Sequence, residues 1–419
     1  MARDSSTTLS SSPRRLKVRG SRSGILDLQL NCGVGLGPSL TPKLLLQFIN
    51  QQGNILLALA GDSPTPSAIS SLLAELDIHL SPDRNSLVLD HFHHDVLSSS
   101  DQHDVLVLPR PQPSRPDVRS FFGGDGVLAF PRAVAQELGS RSALLAPILK
   151  AQNTAYSYNP KEEKEIVEDP FEVGQQISIV SAMQARNSAR FTVYGSVEAL
   201  ENKWFDAQVQ TTEVSSMHTA NRDFARQVSA WTFQEIGILK SGKVEHHESS
   251  TVPKMKSNDD VVQVGFLNPS IYRIKNDVTF NIELSEYDRD HLKPFQVQSP
   301  DALQIEFSML SPFQRLNLEP VSRTLNSTVF SSTFRLPDQH GIFRFEVNYK
   351  RPFLTYIDVK REVTVRHFAH DEWPRSWQIS GGWVWITGIW ATILGWVAFV
   401  AIWLWSGPAY GEKLVKKMQ

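Results

Sequence analysis

The chain finishes with "GGWVWITGIWATILGWVAFVAIWLWSGPAYGEKLVKKMQ", and this stretch constrains the fold more than any other. No charged residue lies between Ser376 and Gly411. As a helix, Trp383 to Trp405 spans about 34 Å, enough to cross a hydrocarbon core of about 30 Å. Trp383 and Trp385 stand at one end and Trp403 and Trp405 at the other, the positions of an aromatic belt. Lys413, Lys416 and Lys417 follow, and the positive-inside rule assigns that end to the cytosol. The expectation is a single-pass membrane protein with most of its chain on the far side, in a lumen or outside the cell. Gly388, Ala391, Gly395 and Ala398 fall within an arc of about 80° at 100° per residue. Small residues so placed let another helix approach closely, so the stripe is expected to face a partner. Lys416 and Lys417 stand third and fourth from the end, which matches a dilysine signal for retrieval to the endoplasmic reticulum.

The other end conflicts with this topology. "MARDSSTTLSSSPRRLKVRGSRSG" carries positive charge but no apolar core of a signal peptide. Either the bulk is cytosolic and the protein tail-anchored, or the true N-terminus is absent from this sequence. Residues 1–35 are expected to be atypical and disordered. The net charge of −2 and the lack of a basic stripe argue against a nucleic-acid partner. One cysteine, Cys32, excludes an internal disulfide and any CxxC site.

Between the ends the texture changes once. In "TPKLLLQFINQQG" Thr41 caps a helix, Pro42 opens it and Gly53 ends it, with Leu44, Leu45, Phe48 and Ile49 on one face. "NILLALA" reads as a buried parallel strand, and a second helix follows at about Pro66 to Leu76. "SLVLD" and "DVLVLP" are further strands, and "QQISIVSAMQARNSARFTVYGS" holds two more. Residues 219–236 read as an amphipathic helix, with Phe224, Val228 and Trp231 on one side and Gly237 at its end. This alternation predicts an α/β doubly wound domain over residues 36–238. Residues 239–260 read as a polar linker. Residues 261–368 alternate as strands and predict a β-sandwich-like region. A transmembrane helix over 380–406 and a tail over 407–419 complete the chain.

The candidates for chemistry are few. "DHFHHD" brings together Asp90, His91, His93, His94 and Asp95, with His103 and Asp104 nearby. Two of these imidazoles with a carboxylate could hold a metal, but the group also stands just past a strand, where a polar loop end is expected. "FFGGDG" places Gly123, Gly124 and Gly126 before a strand rather than a helix, so it reads as a tight turn and not a phosphate loop. "DRD", Asp288 to Asp290, is similar to the paired aspartates of metal-dependent glycosyltransferases but lies in the β-rich part and reads as a solvated turn. No GxSxG, HExxH or Cys–His pairing occurs. No catalytic residue, metal or cofactor is expected. Asn326, in "NST", is the one N-glycosylation sequon.

"FINQQGNILLALAGD", "DHFHHD", "AYSYNP", "AMQARNSARFTVYGSVE", "WTFQEIGILK", "FRLPDQHGIFRFEVNYKRPFLTY" and "VRHFAHDEWPR" resemble, in order and spacing, one family. It is that of a non-catalytic subunit of the eukaryotic oligosaccharyltransferase complex, the yeast wheat-germ-agglutinin-binding protein and its animal 48-kDa counterpart. "GLGPSLTP" is similar to the fungal version. The resemblance covers residues 36–419. It implies a lumenal bulk, a type I anchor in the endoplasmic reticulum membrane and a cytosolic tail. It also implies partners: the other subunits, including a multi-spanning catalytic one and a ribophorin-like one. That complex transfers an oligosaccharide from dolichyl diphosphate to Asn in Asn-X-Ser/Thr. Family members begin with a signal peptide and a strand–helix–strand unit that this chain lacks, so a truncated or mis-called start and a missing first strand are expected. Two alternatives stay open: a lumenal cargo or adaptor protein retrieved by its tail, and a sugar-processing enzyme using Asp90, His91 and Asp95.

Overall fold

In chain order the first region holds β1 (Lys17–Gly20), β2 (Leu26–Asn31), α1 (Pro42–Asn50), β3 (Asn54–Ala58), α2 (Ser67–Glu75), β4 (Ile78–Leu80), β5 (Leu87–Leu89), β6 (Val105–Pro109), β7 (Val127–Pro131), β8 (Gln136–Leu138), β9 (Leu145–Lys150), β10 (Tyr156–Tyr158), β11 (Ser178–Gln184), β12 (Arg190–Tyr194), α3 (Asn202–Phe205), β13 (Gln208–Val209), β14 (Met217–His218) and α4 (Asn221–Thr232). The computed structural model describes residues 17–20, 26–31, 41–83, 85–113, 118–140, 142–159, 169–211, 216–249, 267–310, 313–372 and 382–406. The Thr41 hydroxyl accepts from Leu44 N–H (3.3 Å) and so caps α1. Leu45 and Ile49 are buried, whereas Leu44, expected on the same face, points to solvent at 46% exposure.

An eight-stranded sheet carries this region, in the order β1-β2-β3-β12-β11-β8-β4, with β9 also paired to β11. Along β3, Ile55 and Leu57 pack with α1 and α2, and Leu56 packs with Phe224 and Trp231 of α4. Both faces of the strand are covered, so its apolar run is continuous. The sheet is nevertheless mixed, not the doubly wound parallel sheet expected. β2, β3 and β12 run parallel, and the other pairings are antiparallel. The two strands read from "SLVLD" and "DVLVLP" never enter it. β5 pairs with β10, and β6 with β7. The chain between β5 and β6 is a loop, and without a helical crossover a parallel neighbour is out of reach.

Two segments carry strands that their composition did not suggest. Residues 17–20 and 26–31, placed in a disordered N-terminal segment, form β1 and β2, and β2 lies beside β3. "LDLQLN" alternates apolar and polar residues, the strand period. In the expected linker 239–260, the first part belongs to β15 (Ile238–Glu248). This strand stands at a sheet edge, where polar residues are the rule, and its polarity therefore resembles a linker.

The β-rich region continues with β16 (Ile271–Arg273), β17 (Asp277–Asp288), β18 (His291–Pro294), β19 (Gln304–Ser308), β20 (Phe313–Asn317), β21 (Glu319–Arg323), β22 (Thr328–Arg335), β23 (Gly341–Tyr349) and β24 (Ile357–Arg366). One sheet runs β15-β17-β22-β21 with β18 beside β17, the other β16-β24-β23-β19-β20. Burial alternates along β17 and β23, and aromatic rings meet between the sheets: Phe280 lies 5.4 Å from Phe345, and Phe307 5.6 Å from Phe334. The described residues up to Arg366 form one compact unit, and those from His367 form a second. The second contains α5 (Gly382–Trp405), with mean hydropathy 1.9.

Candidate functional site

The polar cluster after β5 is built around two buried carboxylates, Asp90 and Asp95. Asp90 is fully buried. Its Oδ1 accepts from the amides of Phe92 (2.9 Å) and His93 (3.2 Å), and the Thr154 hydroxyl donates to both oxygens (2.9 and 2.8 Å). His93 Nδ1 lies 3.1 Å from Oδ2. Asp95 accepts from Ser98 N–H (3.1 Å) and from Gln210 N–H (2.7 Å), which ties the loop to a distant segment. Asp104 accepts from Ser100 N–H at 2.9 Å. A carboxylate that accepts from loop amides in this way fixes a turn.

The rings of His91, His94 and His103 sit outside this framework. His91 Nδ1 is 2.6 Å from His103 Nδ1, so one of the two carries the shared proton, and His91 Nε2 meets the Tyr156 hydroxyl at 2.8 Å. His94 stacks on His103 with centroids 3.9 Å apart. Burial, then the neighbouring His103, hold its pKa below the usual imidazole value. Burial, then Tyr158, push the Tyr156 phenol up. The geometry is that of a ring cluster closing a loop. Among the described residues, no group of three or more His, Cys, Asp or Glu is placed to hold a metal ion.

The other motifs occupy turns. Gly124 and Gly126 take φ of 153° and 98° on the way into β7, values that favour glycine. Arg110 closes that turn, donating to Gly123 O (3.0 Å), Ala220 O (3.1 Å) and Gln227 Oε1 (2.8 Å). Asp288 pairs with Lys293 at 2.8 Å in the β17–β18 hairpin, and that hydrogen bond lowers its pKa. Asn326 is exposed in the turn between β21 and β22.

The family-model comparison identifies the chain. Residues 30–235 match the model of the OST48 N-terminal domain, and residues 254–407 that of the OST48 middle domain. The chain is 30% identical over 375 residues to the Schizosaccharomyces pombe dolichyl-diphosphooligosaccharide–protein glycosyltransferase subunit wbp1, covering 89% of this chain and 79% of that protein. The chain belongs to the OST48 family. It is also 28% identical to subunit WBP1 of Saccharomyces cerevisiae, over 91% of this chain and 78% of that one. The 48 kDa subunit of Caenorhabditis elegans is 28% identical over 90% and 80%.

In this OST48 chain the seam between the two regions was not legible in the sequence. Arg190 is fully buried and donates to the carbonyls of Trp231, Ile236 (2.7 Å) and Gly237 (2.8 Å). Its guanidinium lies 4.7 Å from the Trp231 ring centroid. Trp231 Nε1 donates to Phe353 O (2.8 Å), and Gln184 Nε2 donates to Leu354 O (2.6 Å). Thr355 N–H reaches Gly237 O at 3.1 Å. Arg119 also pairs with Glu286 of β17. The β23–β24 loop is thus plugged into the end of α4. Its signal was "RPFLTY", an apolar loop where a polar one is usual.

On α5, Gly388, Ala391, Gly395 and Ala398 are exposed, as is nearly all of the helix, and a Cβ on either glycine would meet nothing within 4 Å. Thr387 and Thr392 donate their hydroxyls back to Trp383 O (2.7 Å) and Gly388 O (2.8 Å). The helix therefore satisfies its polar groups internally, as an apolar medium requires. Cys32, Lys413, Lys416 and Lys417 lie outside the described residues.

Proposed function

We propose that this chain is a non-catalytic, structural subunit of dolichyl-diphosphooligosaccharide–protein glycosyltransferase in the endoplasmic reticulum. The observation that carries the reading is the family match, whose relatives are each named subunits of that transferase. Its partners are the other subunits, including a multi-spanning catalytic one and a ribophorin-like one. α5 spans the membrane, the preceding residues are lumenal, and the tail is cytosolic. Burial of Asp90 and Asp95 against loop amides supports a structural role for the polar cluster. The test is single replacement of Asp90, His91, Asp95, Asp288 and Asp290 by alanine, with glycan transfer measured at matched complex abundance. Transfer is expected to persist. A hundredfold loss from one change, about 2.7 kcal/mol of barrier, would assign that residue to catalysis.

Retrieval by Lys416 and Lys417 belongs to the same proposal. With both changed to serine in a correctly targeted chain freed from its complex, its glycans should mature to Golgi forms. Retention without maturation overturns the signal. A glycan on Asn326 is expected, and its loss in Asn326→Gln would appear as a mobility shift equal to that from enzymatic deglycosylation.

A further inference from the structure

One corner of the β-rich region changes character where the chain leaves it. The outer face of the β16-β24-β23-β19-β20 sheet is charged along most of its length. Arg315 pairs with Glu306 (2.6 Å), and Arg344 (3.1 Å) and Lys360 (3.5 Å) pair with Glu346. Toward the end where β24 stops, the cross-strand row becomes Ile342, Thr364 and Ile271 in register. Ile342 is 67% and Ile271 54% exposed. The β19–β20 hairpin turns at the same end, since Ser308 faces Arg344 on β23 and Phe313 on β20. There Leu310 projects fully into solvent and Phe313 is 56% exposed, with the Arg315 guanidinium 5.3 Å from its ring centroid. Beyond the apolar row, Arg366 faces Arg273.

Two facts bear on what could cover this corner. The polypeptide leaves the sheet at Arg366, in that last row, and enters α5 at Gly382. The segment between reaches at most about 58 Å when extended. Apolar side chains rimmed by arginines are also the chemistry of a phospholipid interface, where hydrocarbon enters below the headgroups and cations stay among the phosphates. The sequon faces the other way. Asn326 precedes β22, and Gly341 and Ile342 follow its far end, so the length of β22 separates them.

We propose that Leu310, Phe313, Ile342 and Ile271 form a second membrane contact, seated on the phospholipid surface of the bilayer that α5 crosses. The inference rests on α5 spanning that bilayer. It is tested with the full chain in phosphatidylcholine vesicles. In a C32S background, L310C, I342C, N326C and L394C each carry an environment-sensitive fluorophore, and lipids carry a nitroxide at the headgroup or in the acyl chain. Labels at 310 and 342 should be quenched by the headgroup nitroxide at least about twofold more than the label at 326, as expected for interfacial side chains. The label at 394 should be quenched by the acyl-chain nitroxide. If 394 is quenched and 310 matches 326, the membrane contact is wrong and the span stands. If 394 is not quenched, the span reading falls and this inference with it. Shielding of 310 only when other subunits are added would give the row to a protein neighbour and overturn the lipid contact.

Discussion

Each of the two folded regions before α5 buries a nitrogen base, and they treat its proton oppositely. Arg190 sits under α4 in the mixed-sheet region, and burial lowers its pKa only to about 9. It stays charged, with three carbonyls and the Trp231 ring spreading the charge. His246, on β15 of the β-rich region, is 5% exposed and lies 2.6 Å from the Tyr272 hydroxyl. Burial first, then Arg361 and His247, lower its pKa to about 4, so it stays neutral. Desolvation pushes both bases the same way. What differs is how far each starts above neutrality: Arg begins at 12.5 and His at 6.5. A region that needs a fixed buried cation as a hinge for carbonyls must therefore use arginine, and a region that needs only a polar packing piece can use histidine.

Removing the cation should have the largest effect. Arg190→Ala takes the charged donor away from three carbonyls, of which Gly237 O keeps Thr355 N–H and Trp231 O keeps Gln234 N–H, and empties the space under α4; it is expected to cost about 3–5 kcal/mol, read from urea unfolding. Arg190→Lys should recover only part, because one ammonium cannot fork to three carbonyls. A loss below about 1 kcal/mol for the alanine variant would mean that water replaces the guanidinium and the hinge is not needed.

The second effect is acid sensitivity of the β-rich region. The unfolded His246 takes its proton near 6.5 and the folded one only near 4, so the unfolded state binds more protons between these values. Stability should fall as pH drops through that window, by about 3 kcal/mol in all, and then level off below it. Hydrogen exchange of β17 and β24 amides at pH 7, 5.5 and 4.5 measures it. His246→Gln, which keeps a partner for Tyr272, should flatten the profile. An unchanged profile would place the acid sensitivity elsewhere.

A smaller effect tests how the regions are joined. Glu286 is 2% exposed and receives Arg119 from the other region. Glu286→Gln should cost about 1–3 kcal/mol and loosen the seam without unfolding either core. Limited proteolysis near Arg119 is the readout. The smallest expected change in fold comes from α5. Gly395→Leu should leave insertion intact and reduce co-purification with other subunits in mild detergent, while Val400→Leu, about 140° round the helix, should do little. Equal recovery of both variants would mean that the small-residue stripe does not hold the complex.

The sequence by itself determined features whose cause lies within a few residues. Thr41 and Pro42 start α1 because the cap and the missing N–H act on the same turn. α5 was legible because its length and unbroken apolarity mark it as a candidate membrane span whatever the rest of the chain does. The glycine turn before β7 and the hairpin at Asp288 were also legible, since turn chemistry is local. The tertiary structure decided which strands meet. Nothing near "SLVLD" says that β5 will pair with β10 rather than enter the main sheet, or that polar "KSGKVEHHE" will find β17. It also decided what Asp90 and Arg190 do. The sequence offered Asp90 as a possible ligand or base, and only the fold delivers Thr154 to it. Arg190 drew no attention in "ARNSARF", yet its carbonyl partners lie at Trp231, Ile236 and Gly237, across the sheet from its own strand neighbours. Local propensity is set by adjacent side chains and backbone angles, whereas pairing and burial depend on contacts between segments far apart in the chain, which no short stretch encodes.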